Sequence, residues 1–262
     1  MTSPTFSTLR IEPGSSDAIV HLVLDRPDNL NALSRVLLTE LATACRWLDE
    51  QRDIKVVVVR GEGRAFSAGF DLGDFAEAPG EMSPRDTADL GRLAAEALTG
   101  IRALTIASLH GHCVGGGLVL AASCDLRVAA EDARFSIPEV DLGIPLAWGG
   151  IPRLVRELGP AITKELVLTC RPFSPDEAKA LRFVNTVVPA AELDRTVTEL
   201  AEALAAKPGF ALRTTKQQVN AVTEEMIGTG RNASDADTLA AAVADPESVE
   251  ASRRYLANRS RR

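Results

Sequence analysis

The 262-residue chain is 45% hydrophobic and 25% charged, a composition that can bury one large core and that excludes a disordered chain. Its 29 Lys and Arg against 36 Asp and Glu give a formal charge of −7. No overall basic surface exists for neutralising phosphates, so nucleic-acid partners are not expected and any phosphate site must be local.

Residues 1–7 are polar with no apolar stretch of a leader behind them, and no apolar run approaches the ~20 residues of a membrane span. Cys45, Cys113, Cys124 and Cys170 are far apart and form no C-x-x-C, the pattern of buried free thiols in a reduced compartment. The expectation is a soluble, cytoplasmic protein with no membrane partner.

Residues 18–24 form an apolar run closed by Asp25-Arg26-Pro27-Asp28, which predicts a strand and a turn. His21 within it reads as a core or edge histidine. Ser34 can cap the next helix, where Leu37, Leu41, Cys45 and Leu48 recur at intervals of four and three until about Gln51. Residues 56–59 are a β-branched run, the mark of a strand buried on both faces. Strand, helix, strand predicts a right-handed crossover and a parallel sheet.

The pattern repeats with a glycine-rich connection at 61–71, a helix over 87–104 and a strand over 105–109. Gly115-Gly116-Gly117 opens a small-residue helix reaching Ser123, and strands are expected at 126–129 and 134–137. From Gly159 the texture becomes helical. Ser174-Pro175-Asp176-Glu177 is a capping box with proline at the first helical position, and helical periodicity covers 191–206, 210–227 and 233–258. No internal repeat is present. These elements predict an α/β core over residues 1–195 and a C-terminal helical region over 196–262.

Three motifs carry chemistry. The first, residues 61–72, follows the buried strand. It fails as a dinucleotide fingerprint because Phe66 stands where glycine is needed, and as a nucleophile elbow around Ser67 because Ala65 does. A tight turn of small residues survives, with backbone N–H groups near Gly69 and Phe70 able to face a bound oxygen. The second, residues 111–117, puts three glycines at a helix start, where free N–H groups collect. Both loops follow strands at one end of a parallel sheet, so two donors from separate loops can converge into an oxyanion hole. The third places Glu139 after Pro138 at the end of an apolar strand. In an apolar pocket its pKa would rise to that of a proton carrier, and on the surface it would be a solvated side chain. Asp141 shares its face in an extended chain, or caps the turn.

In order and spacing, Arg26-Pro27 with Asn31-Ala32-Leu33, then 65–72, Gly115-Gly116-Gly117 with Cys124-Asp125, and Pro138-Glu139 with Leu142-Gly143 resemble the enoyl-CoA hydratase/isomerase (crotonase) family. The likeness continues through 165–169, 174–178 and 184–189, about two-thirds of the chain. It implies a crotonase-like fold, a spiral of ββα units followed by helices, and an acyl-CoA thioester substrate. Coenzyme A would enter as part of that substrate, with no metal or redox cofactor. The resemblance places the oxyanion hole on the N–H groups of Phe70 and Gly116, with Glu139 carrying the proton. It runs the adenine and pantetheine along Arg26 to Leu30 and along Ala68, Asp71 and Leu72, with Arg26 as a phosphate contact. Pro145, Trp148 and the 75–87 loop would shape the acyl pocket. A homotrimer or homohexamer is implied.

The pattern breaks at one position. The family's hydratases use two glutamates, one two residues after the triple glycine and one after the proline, and the first position here is Val119. One carboxylate can still shuttle a proton between the α- and γ-carbons, so isomerase chemistry is expected. The alternatives are a hydratase with a substitute acid, Asp141 before Asp71 or Asp74, and a catalytically weak acyl-CoA-binding protein. A serine hydrolase built on Ser67 with His110 or His112 has the wrong elbow, and His110-x-His112 lacks further metal ligands. The basic segment 253–262 is expected as a solvated tail, or as a contact for CoA phosphates.

Overall fold

A computed structural model describes residues 4–76 and 82–259. Its strands, in chain order, are β1 (Leu9–Pro13), β2 (Ile19–Leu24), β3 (Val56–Gly61), β4 (Leu104–Leu109), β5 (His112–Val114), β6 (Leu126–Ala130), β7 (Arg134–Ser136) and β8 (Thr186–Val188). One sheet has the order β1-β2-β3-β4-β6-β8, and β5 and β7 form a small second sheet. β1 runs antiparallel to β2, with Leu9 opposite Leu24, and every other pair is parallel. The expected parallel α/β sheet is therefore present. The expected strands do not include β1, β5 and β8. β1 and β8 are short edges, and β5 lies inside the glycine-rich turn.

The helices are α1 (Arg35–Glu50), α2 (Leu72–Ala76), α3 (Pro84–Gly100), α4 (Gly116–Ala122), α5 (Gly150–Thr169), α6 (Pro175–Ala180), α7 (Leu193–Ala205), α8 (Gly209–Met226), α9 (Asp235–Ala242) and α10 (Pro246–Arg259). Ser34 caps α1, its Oγ accepting from Leu37 N at 3.2 Å, and Ser174 caps α6 likewise through Glu177 N. α3 starts and ends earlier than its periodicity suggests. Ser83 and Pro84 supply the cap and first residue, and Leu104 is taken into the sheet opposite Val56. α5 begins at Gly150, ahead of the expected change at Gly159, where φ is +77° and Pro160 follows, producing a kink. The stretch 233–258 divides into α9 and α10 at Pro246, which has no N–H to continue the ladder.

Alternating strand residues sort onto two faces. Leu22, Leu24, Val57, Val59, Ala107 and Leu109 pack with Leu37, Leu41 and Leu48 of α1 and Leu98 of α3. On the other face Val56, Val58, Ile106 and Val128 are covered by Leu193, Val197 and Ala201 of α7. The division expected at residue 195 thus falls inside an element of the core. Among the described residues no helix is long and apolar enough to cross a membrane.

Candidate active site

The two glycine-rich loops are stitched side by side beyond the C-terminal ends of β3 and β4. On one side of residues 66–71, Ala68 N donates to Leu30 O (2.9 Å), Leu33 N to Gly69 O (2.8 Å) and Asp71 N to Leu33 O (3.2 Å). On the other, Phe66 N and Ser67 N donate to His110 O and His112 O (both 2.9 Å), and Val114 N returns to Ser67 O (3.0 Å). Gly115 N then reaches Ser136 O at 2.9 Å, tying in the segment that leads to Glu139. Asn31, fully buried at φ +53°, anchors the assembly. Its Nδ2 donates to Glu62 O and Ala65 O, and its Oδ1 accepts from Arg26 N.

This stitching fixes where two N–H groups point. The C=O and N–H of a trans peptide point in opposite directions. Gly69 O faces Leu33, so Phe70 N–H faces away from that segment, toward the Val114 side. Gly115 O accepts from Leu118 N and Val119 N inside α4, so Gly116 N–H faces out of the start of that helix. The turns touch: a Cβ on Gly69, at φ +87°, would lie 2.7 Å from Val114 O and 3.6 Å from Gly116 N. Glycine at 69 is what permits the approach.

Two chambers open at this place and share Phe70, Glu139 and Ile144. The larger, about 580 Å³, is lined by Leu30, Ala68, Leu72, His112, Asp141 and others. The second, about 310 Å³, is lined mostly by apolar groups, among them Gly116, Val119, Pro145, Leu146, Trp148 and Leu239. Trp148 stands edge-on to Phe70, with ring centroids 5.7 Å apart. Its backbone is left-handed at φ +61°, an uncommon state for a bulky residue. Gly91 inside α3 makes room for the indole, because a Cβ there would lie 1.9 Å from Trp148 Cε2. A glycine that weakens a helix interior is thereby explained by packing.

Glu139 sits at the junction of the chambers. Its Oε2 is buried and has no hydrogen-bond partner, and Gly115 passes so close that a Cβ there would lie 2.3 Å from Oε1. Burial pushes the carboxyl up to about 7, and the residue's own backbone N–H offsets this only in part. Such a group exchanges a proton readily near neutral pH.

The structure brings together most of the expected site residues: Leu30, Ala68, Phe70, Leu72, Gly116, Val119, Glu139, Asp141 and Trp148 all line the chambers. Arg26 and Asp71 do not. Arg26 Nη1 is 2.7 Å from Asp71 Oδ2 and also donates to Ala32 O, while Asp71 Oδ1 accepts from Gly73 N. The pair clamps the turn instead of lining the chambers. Ser67 is equally committed. It is fully buried, donates to Asn31 O and accepts from Gly69 N, and His110 Nε2 lies 3.0 Å from Gly63 O. The hydrolase arrangement is therefore absent. Of the 75–87 loop, residues 77–81 lie outside the described residues, and Thr87 at its end lines the second chamber from α3.

Sequence reasoning missed Tyr255 and Asn258, which line the larger chamber from α10. The C-terminal segment is a docked helix as far as residue 259, not a solvated tail. Ser252 Oγ donates to Leu142 O, and Gly143, at φ +72°, lies against Ser248 so closely that a Cβ would be 2.4 Å from Ser248 O. The only available signal was Gly143 itself, read as part of a motif. Gly143→Ala is expected to destabilise the protein by about 2 kcal/mol and to speed amide hydrogen exchange across residues 246–259. Unchanged exchange there would show that this contact does not hold α10.

Comparison with known proteins agrees with this geometry. The family model described as enoyl-CoA hydratase/isomerase matches residues 14–261. A peroxisomal Δ(3,5)-Δ(2,4)-dienoyl-CoA isomerase of Arabidopsis thaliana is 38% identical over 231 residues, covering 82% of each chain. A probable enoyl-CoA hydratase of Mycobacterium tuberculosis is 34% identical over 230 residues, covering 86% of each. Among solved structures, an enoyl-CoA hydratase of Mycobacterium avium subsp. paratuberculosis superposes with a TM-score of 0.85 over 95% of this chain and 99% of that one, and at 24% identity it establishes the fold. A probable enoyl-CoA hydratase of Mycobacterium thermoresistibile reaches 0.79 at 32% identity, covering 92% and 99%. With the crotonase fold, the ordered motifs and the two-chambered cleft in agreement, the chain belongs to the enoyl-CoA hydratase/isomerase family.

Proposed function

We propose that this protein shifts a double bond of an acyl-CoA thioester from the Δ3 to the Δ2 position, with Glu139 as the single proton carrier. The observation that carries this is a buried carboxyl at the junction of the two chambers whose Oε2 has no hydrogen-bond partner, with Val119 lining the apolar chamber. The thioester carbonyl sits at the N–H groups of Phe70 and Gly116, the pantetheine in the larger chamber and the acyl chain in the apolar one. Glu139 takes a proton from the α-carbon. The C–H electron pair forms a C1–C2 double bond and the carbonyl pair moves onto oxygen, giving a dienolate that keeps C3=C4 and whose oxygen the two N–H groups hold more strongly than the neutral carbonyl. The protonated Glu139 then delivers the same proton to C4, leaving C2=C3 and the original carboxylate. Atoms balance with no water and no co-reactant.

Hydration is the second reading, favoured by Asp141, which lines the larger chamber with Glu139. Asp74 lines the acyl chamber, but its Oδ2 already accepts from Arg35 N. One assay pair separates the readings. A 3-enoyl-CoA is expected to gain conjugated absorbance, and a 2-enoyl-CoA to keep it. Loss of conjugation from the 2-enoyl ester would establish hydration, and binding with silence in both would establish a binder.

Self-association belongs to the same proposal. Val219, Val222 and Met226 form an exposed apolar stripe on α8, at 58%, 58% and 75% exposure. Sedimentation is expected to return a trimer or a pair of trimers, and a monomer at micromolar concentration would exclude both.

A further inference from the structure

Two residues that line the acyl chamber each carry a buried oxygen without a hydrogen-bond partner. The first, Glu139 Oε2, is accounted for by proton transfer. The second is Thr87 Oγ1 in the first turn of α3, buried and without a hydrogen-bond partner. Thr87 lines the chamber, and most of the wall around it is apolar: Ala88, Val119, Leu146, Leu239 and Val243 among others. A valine of the same shape would fill this position without a stranded hydroxyl, which costs about 1–3 kcal/mol when buried and unpaired. The backbone N–H of Thr87 is satisfied by Ser83 O at 3.0 Å, so the hydroxyl has no helix-capping duty to explain it.

We propose that Thr87 is a specificity-determining residue that receives an uncharged oxygen substituent, a hydroxyl or a ketone, carried by the acyl chain beyond its reacting carbons. This rests on the acyl-CoA reading of the cleft and names the acyl class within it. A hydroxyl can both donate and accept, so it serves either substituent. Carboxylate-ended chains are disfavoured: among the described residues no Lys, Arg or His lines the chamber, and the one further titratable group on its wall beside Glu139 is Asp74. A second anion there would face two carboxyl groups with no cation to compensate it.

The probes are saturated, unreactive thioesters: octanoyl-CoA, its 5-, 6- and 7-hydroxy and keto derivatives, and the eight-carbon ester ending in a carboxylate. Dissociation constants are measured by calorimetry on the full chain and on Thr87→Val and Thr87→Ser. The native protein is expected to bind at least one oxygenated isomer about five- to tenfold more tightly than octanoyl-CoA, and the carboxylate-ended ester more weakly. Thr87→Val should abolish the preference for the oxygenated chains over octanoyl-CoA, and Thr87→Ser should keep it. A preference that survives Thr87→Val, or native protein favouring the plain chain over every oxygenated isomer, would overturn the assignment while leaving the acyl-CoA reading intact. Failure of every thioester to bind would overturn both.

Discussion

Glu139→Gln is expected to lower turnover by about two to four orders of magnitude while leaving the affinity for a saturated acyl-CoA within about twofold. Glutamine keeps the shape of the side chain and removes its capacity to carry a proton. The pH dependence supplies an independent check. The base form appears as pH rises through about 7, so kcat/KM should climb roughly tenfold per pH unit below that value and level off above it.

Stability should move in the opposite direction. The unfolded carboxyl releases its proton near ~4.3, and the folded one near 7. Between these values the folded state binds more protons, so the free energy of unfolding falls as pH rises across that window and stays low above it. Glu139→Gln removes the effect. The variant should therefore melt at a higher temperature than the native protein at pH 8, by on the order of 3 kcal/mol, with the advantage gone at pH 4. Equal melting temperatures at pH 8 would mean that Glu139 is solvated, and an undiminished rate would remove it from the chemistry.

Gly115→Ala should be nearly as damaging, by a different route. The backbone there has φ +51° and ψ −117°, a conformation that side chains disfavour, and the new methyl would lie 2.3 Å from Glu139 Oε1 and 3.0 Å from its Cδ. The neighbour that must move is the proton carrier itself. Displacing a reacting group by an ångström costs about a hundredfold in rate, so a loss of that size is expected together with a lowered melting temperature. Gly100→Ala is the matched control. It lies at the end of α3, with nothing within 4 Å of its added methyl, and should leave the rate unchanged. If Gly115→Ala keeps both the rate and the pH profile, Glu139 is not held where the geometry places it.

Much of this site was legible in the chain because its signals are local. Ser34 caps α1, the β-branched run at 56–59 becomes a central strand, and the triple glycine opens α4, each through preferences written within a few neighbouring residues. Glu139 was found by the same means, from its place after a strand and a proline. The ion pair of Arg26 with Asp71 was not legible, because the two lie 45 positions apart and nothing near Arg26 announces its partner. The elbow pattern around Ser67 already fails in the sequence, but the use of its hydroxyl on Asn31 O, 36 positions distant, does not show there.

The amino-acid sequence by itself determined the central strands, most of the helices, the glycine turns and the supply of one proton-carrying glutamate, because backbone conformation responds to nearest neighbours. Only the tertiary structure decided which polar groups are spent on one another and which remain for a ligand. It paired Arg26 with Asp71, left Glu139 Oε2 and Thr87 Oγ1 without partners, and brought α10 across 110 positions to Leu142. A hydrogen bond is settled by which segments the folded chain lays together, and that information is distributed over the whole sequence rather than held at any one place in it.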